Sequence, residues 1–243
     1  MDSTRYHRFP AVSHPLRSSQ ILITMYILDF DESDKADERI ENDFSKLNSE
    51  DAFSLGEAFT LSYLLVSASD GKMDDPECKA FLESVLSMDI YHSELLFKCF
   101  CSFLDLETDT VNTIRLHITC GDRGSVESLI ETLAVVVTKK CNEIITKFSW
   151  LSSPLELFKP CKAIFQKIDY LTTVEVKYSF FVSMQYVANA TGGGLFKKSK
   201  ICKKEQEMMD RVCHALEFEP SHLADEMKKY GLQTKIDGLN ADK

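Results

Sequence analysis

The stretch Leu64-Leu65-Val66-Ser67-Ala68-Ser69-Asp70-Gly71-Lys72-Met73-Asp74-Asp75-Pro76-Glu77 reads as the end of one helix, a tight turn and the start of another. Upstream, Phe53, Ala58, Phe59, Leu61, Leu64, Leu65 and Ala68 recur at helical spacing and form an apolar face. Asp70-Gly71 ends that face. Asp74 is placed to cap the next helix. Glu77, three residues on, closes a capping box, and Asp75 suits the positive end of the helix dipole. The second helix is expected to run to about Met88. A third, starting near Ser93, carries Leu95, Leu96, Cys99, Phe100, Phe103 and Leu104.

The rest of the chain has the same character. Ser125 to Phe148 reads as one long helix with Val126, Leu129, Ile130, Leu133, Val136 and Val137 inward. Ser153-Pro154 opens a helix, since serine caps and proline suits the first turn. Further helices are expected over about Thr173 to Ala190, Lys203 to Leu216 and Ser221 to Lys229. Thr113 to Cys120 fits a strand or a helix. Only 9 Gly and 6 Pro occur in 243 residues, few for a chain built on tight β-turns. The expected fold is all-α, a multi-helix bundle.

Two segments of the chain align with one another. At an offset of 128, Met73 meets Ile201, Glu77 meets Glu205, Val85 meets Cys213, Ser93 meets Ser221 and Leu95 meets Leu223. Upstream the offset is 121, where Phe59 meets Phe180, Ser62 meets Ser183 and Val66 meets Val187. This reading divides the chain into a basic arm with a short apolar segment and an acidic stretch (1–50), a first helical repeat (51–108), connecting helices (109–172), a second repeat (173–232) and a tail (233–243).

The pattern of residues 64–77 resembles the TerB-like group, which includes tellurite-resistance proteins and the amino-terminal domain of a membrane-anchored co-chaperone. The shared features are an apolar helix, an Ala-x-Asp-Gly-like turn, an apolar residue and a short acidic cap with Glu. The likeness spans roughly residues 52–104 and, more weakly, 176–230, where Thr191 stands in place of the turn's Asp and a lysine-rich insertion follows. The resemblance implies an all-α fold and, as in some members, a divalent cation held by acidic residues. It also implies a stress-response or membrane-face setting.

The net charge of −10 argues against a general nucleic-acid binder, since phosphates would be repelled. Ten acidic residues face three basic ones between Asp29 and Asp51, so that stretch reads as a weak surface helix or linker. The eight cysteines are mostly set among apolar residues and include no Cys-x-x-Cys. Free thiols in a reducing, cytoplasmic setting are expected. The apolar run Ile21 to Leu28 is too short to span a bilayer.

Two loops carry the candidate chemistry. Asp70, Asp74, Asp75 and Glu77 offer four carboxylates to a hard cation such as Ca2+ or Mg2+, without the EF-hand spacing. The competing reading of the same residues is helix capping alone. Leu195 and Phe196 follow three glycines and precede Lys197, Lys198, Lys200, Lys203 and Lys204. Such a loop suits an anionic membrane surface or an acidic protein partner, or is a solvated insertion folded back on the core. No Gly-x-Ser-x-Gly and no His-Glu-x-x-His occurs, and the six histidines are scattered. The expected function is non-enzymatic: a module binding a divalent cation, a protein partner or both. The alternative is a structural adaptor with no metal site.

Overall fold

The computed structural model describes residues 33–70, 75–88, 93–107, 110, 113, 123–148, 150–190 and 201–229. Its helices are α1 (Ser33–Ser45), α2 (Ser49–Ser67), α3 (Asp75–Met88), α4 (Glu94–Phe103), α5 (Arg123–Phe148), α6 (Lys159–Phe165), α7 (Tyr170–Ala190), α8 (Lys203–Ala215) and α9 (Pro220–Lys229). No strand occurs among the described residues, so the fold is all-α as expected. Of Thr113 to Cys120, only Thr113 lies within them, so the choice between strand and helix falls outside.

Local sequence sets the helix ends. Asn48 caps α2: its side chain accepts from the Asp51 amide at 2.8 Å, and the Asp51 carboxylate accepts from the Asn48 amide at 3.1 Å. This reciprocal pair satisfies two donors that a helix start would otherwise leave bare. Ser153 caps as expected, accepting from the Leu155 amide at 3.3 Å, but the turn it opens is a 3-10 helix, Pro154–Phe158, leading into α6. Ser93 and Ser221 do not cap. The Ser93 hydroxyl makes no cap bond, and Ser221 lies inside α9, one residue past Pro220.

Helix α2 is the centre of the fold. From Leu55 to Ser67 every residue is buried. A helix covered on all sides needs no polar stripe, which is why its sequence is apolar around most of its circumference. Helix α4 packs along it most extensively; α5, α6, α7 and α8 also lie against it. Helix α3 packs against α7, while α8 packs against α2. Phe59 sits at the meeting point. Its ring centroid lies 5.2 Å from that of Phe81, 6.1 Å from Phe100 and 5.1 Å from Phe180, so one ring touches side chains of α3, α4 and α7.

Helix α1 departs from the surface-helix expectation. Ile40 and Asp43 are buried, and the polar residues do the anchoring. Asp43 accepts from Thr172 Oγ1 at 2.5 Å, from the Asp169 amide at 3.1 Å and from Lys46 Nζ at 2.7 Å. Burial opposes its charge, but these donors outweigh it and hold the carboxyl below its ordinary range. Arg39 bonds Glu175 at 2.5 Å. Glu175 is only 2% exposed, and neither its Oε2 nor Arg39 Nε has a hydrogen-bond partner. Desolvation therefore wins over the arginine and pushes the Glu175 carboxyl up to about 7.

A carboxyl raised in the folded state takes up a proton on folding. Its contribution to stability is full below the ordinary carboxylate range and is lost as pH rises through about 7. Between pH 5 and 7 this site is expected to remove up to about 1.4 kcal/mol per pH unit. Glu175→Gln is expected to flatten that slope, read from urea midpoints at pH 5, 6, 7 and 8. Asp43 acts in the opposite sense, below its ordinary range, so it does not mask the change. An unaltered slope in the variant would refute the assignment.

Candidate functional site

Of the four carboxylates of the first loop, the side chain of Glu77 alone lies within the described residues. Glu77, on the first turn of α3, is buried, and its Oε2 accepts from the Ser67 hydroxyl at the end of α2. It ties two helices together across the turn. Asp74 and the side chains of Asp70 and Asp75 lie outside the described residues. Among the described residues, no group of three or more His, Cys, Asp or Glu is placed to hold a metal ion.

In the second loop, Leu195, Phe196, Lys197, Lys198 and Lys200 lie outside the described residues. Lys203 and Lys204 are exposed on the first turn of α8. Lys203 reaches Glu207 at 3.6 Å, a contact of small worth in water. Below them the helix start is closed by an unusual capping box. Cys202 Sγ accepts from the Glu205 amide at 3.4 Å, and the buried Glu205 accepts from the Cys202 amide at 2.6 Å.

The seven described cysteines are free, and Cys99, Cys101, Cys141, Cys161 and Cys213 are buried. Burial pushes the Cys141, Cys161 and Cys213 thiols up to about 12, which keeps them protonated and inert. No helix of the described residues is long and apolar enough to cross a membrane.

A site that the sequence did not single out lies at the other end of the bundle. A surface cleft of about 510 Å3 opens between α7, α8 and α9. Its floor is apolar: Val174 of α7 and Leu223 of α9 are buried there, with Phe218 half-buried between them. Together with Met227 and Tyr178 they form a small apolar cluster that fastens α9 to α7, and Phe218 also packs against the main core. Tyr170, 53% exposed, stands on the rim, and its hydroxyl donates to Glu226. His214 and His222 flank the opening from α8 and α9.

The turn between α8 and α9 shapes one wall. Glu217 adopts φ 57°, a left-handed conformation. It lets the Phe218 amide reach back to the Cys213 carbonyl at 3.1 Å and closes the helix end. Lys177 lines the cleft, donating to the Glu217 carbonyl at 3.2 Å, with its ammonium 5.0 Å from the Phe165 ring centre. Burial lowers its pKa, and the nearby carboxylates only partly offset this. Glu217 itself pairs with Lys162 at 2.7 Å. Glu219 and Glu226 add two further carboxylates to the lining of the cleft.

His214 and His222 carry no ligand spacing in the sequence, where the six histidines are scattered. Only the fold brings them beside Tyr170. Trp150, 85% exposed in the turn after α5, and Val135 and Ile145, both on α5, are the other large exposed apolar side chains among the described residues. Single exposed apolar residues of this kind are ordinary on protein surfaces. Comparison with protein-family models, with curated proteins and with solved structures found no match for this chain.

Proposed function

We propose that this chain is a non-enzymatic helical module that recruits a protein partner through the cleft between α7, α8 and α9. The observation that carries this reading is the cleft's anatomy: an apolar floor, a charged rim and a half-exposed tyrosine at the edge. Protein–protein interfaces share that layout, with an apolar centre, a polar rim and an enrichment in aromatic residues. The cleft's polar groups are largely committed to holding the walls. Tyr170 holds Glu226, Lys162 holds Glu217, and Lys177 is spent on a main-chain carbonyl. That is the wiring of a binding surface rather than of an acid–base pair.

The TerB-like resemblance of residues 64–77 suits such a module in a stress response or at a membrane face, and the inert, buried thiols suit a reducing cytoplasm. A duplication behind the fold draws support from Phe59 and Phe180, equivalent in the repeat alignment, which pack edge-to-face. The reciprocal packing of α3 on α7 and α8 on α2 supports it too.

Filling the cleft tests the function. His222 is exposed at its edge, so His222→Trp adds bulk there without touching the core. The unmodified chain is expected to capture at least one protein that His222→Trp does not, with both variants melting alike. Identical captured sets would overturn the reading.

A further inference from the structure

We infer that the cleft takes a basic segment of its partner, one in which an apolar anchor is flanked by lysine or arginine. The inference rests on the docking role proposed above and adds the partner's chemistry. Three carboxylates, of Glu217, Glu219 and Glu226, surround the opening, against the single ammonium of Lys177. Lys177 is bonded to the Glu217 carbonyl and lies over Phe165, and its single charge only partly offsets the carboxylates of Glu217 and Glu226. Lys162 offsets Glu217 from outside. Glu219 is exposed on the rim, and Glu226 accepts from the Tyr170 hydroxyl. The rim thus presents negative charge above an apolar floor formed by Val174, Phe218 and Leu223.

An acidic peptide would meet repulsion at this rim. A purely apolar segment would leave the carboxylates desolvated and unpaired, which is costly. A segment with one apolar side chain between cations satisfies both surfaces: the anchor covers the floor, and the cations pair with Glu219 and Glu226. The exposed Tyr170 ring adds a face on which an arginine or lysine stacks. Charge complementarity of this kind governs which partner is accepted and how fast it arrives.

The test uses the full chain and three labelled peptides of equal length, each with one central leucine, flanked by lysine, by glutamate or by serine. Binding is followed by fluorescence anisotropy at low and at physiological salt. The lysine peptide is expected to bind best, to weaken with salt, and to lose about tenfold in affinity to the double variant Glu219→Lys with Glu226→Lys. The milder pair Glu219→Gln with Glu226→Gln is expected to lose less, and its unchanged melting curve guards against misfolding. Equal binding of the lysine and glutamate peptides, or no effect of either double variant, overturns the inference. If the serine or glutamate peptide binds best and is lost on His222→Trp, the basic partner is wrong and the docking cleft stands. If none of the three binds, the docking cleft falls with it.

Discussion

Phe59→Ala is expected to cost about 4 kcal/mol, the upper range for emptying a large aromatic site in a core. The ring is fully buried and is in contact with three others, on α3, α4 and α7. Removing it strips edge-to-face contacts from Phe100 and Phe180 together, and a tilted contact from Phe81. The hole cannot close readily. Its walls belong to four helices, and each is held by its own neighbours, so relaxation toward the gap would unseat contacts elsewhere. For a domain of this size each kcal/mol shifts the melting temperature by about 2–4 °C, so a fall of roughly 10 °C is expected. Phe59→Leu, which keeps most of the volume, should lose less than half as much. Val135→Ala, at an exposed site on α5, should change almost nothing and serves as the control. A Phe59→Ala protein that melts within 3 °C of the unmodified one, where about 10 °C is expected, would show that the rings are not the keystone of the core.

The helical order was legible in the sequence because most segments keep a strong 3.6-residue rhythm with recognisable stops. Helices α3, α4, α7, α8 and α9 begin and end within a few residues of the positions read from their patterns. Helix α1 was harder to read. Its sequence is polar nearly all round, so periodicity gave it no buried face. Its face is made by partners 126 to 136 residues away: Asp169, Thr172 and Glu175 receive Asp43 and Arg39. A polar helix buried through long-range hydrogen bonds leaves no trace in local hydrophobicity.

The cleft was illegible for a related reason. Tyr170, His214 and His222 come from three helices, and the apolar residues beneath them look like any amphipathic stripe. Loop composition pointed instead to Asp70 through Glu77 and to Leu195 through Lys204. Glu77 shows how one residue carries two readings. Counted as one of four carboxylates in a loop it suggests a cation. Its position on the inner side of α3, accepting the Ser67 hydroxyl, gives it a task in the fold itself.

Gly56→Ala separates helix propensity from packing, because the two predict opposite signs. Gly56 lies in the interior of α2, where alanine ordinarily stabilises a helix by about 1 kcal/mol. Here a Cβ would stand 2.2 Å from the Cys99 carbonyl oxygen, 2.8 Å from its carbon and 2.7 Å from Phe103 Cβ. The nearest obstacle is main chain. A side chain could rotate away, but the Cys99 carbonyl is fixed in the middle of α4, so α2 and α4 must separate. That separation loosens the most extensive helix contact in the fold. Overpacking of this kind costs about 1–3 kcal/mol where side chains alone must yield, and more where backbone must move, so a net loss of about 3 kcal/mol is expected. Because the clash is with backbone, Cys99→Ala should not rescue it, and Phe103→Leu should do so only weakly. Urea melts of Gly56→Ala alone and in those two backgrounds would read all three values. A stabilised Gly56→Ala, or full rescue by Cys99→Ala, would mean that α2 and α4 do not approach backbone to backbone at this point.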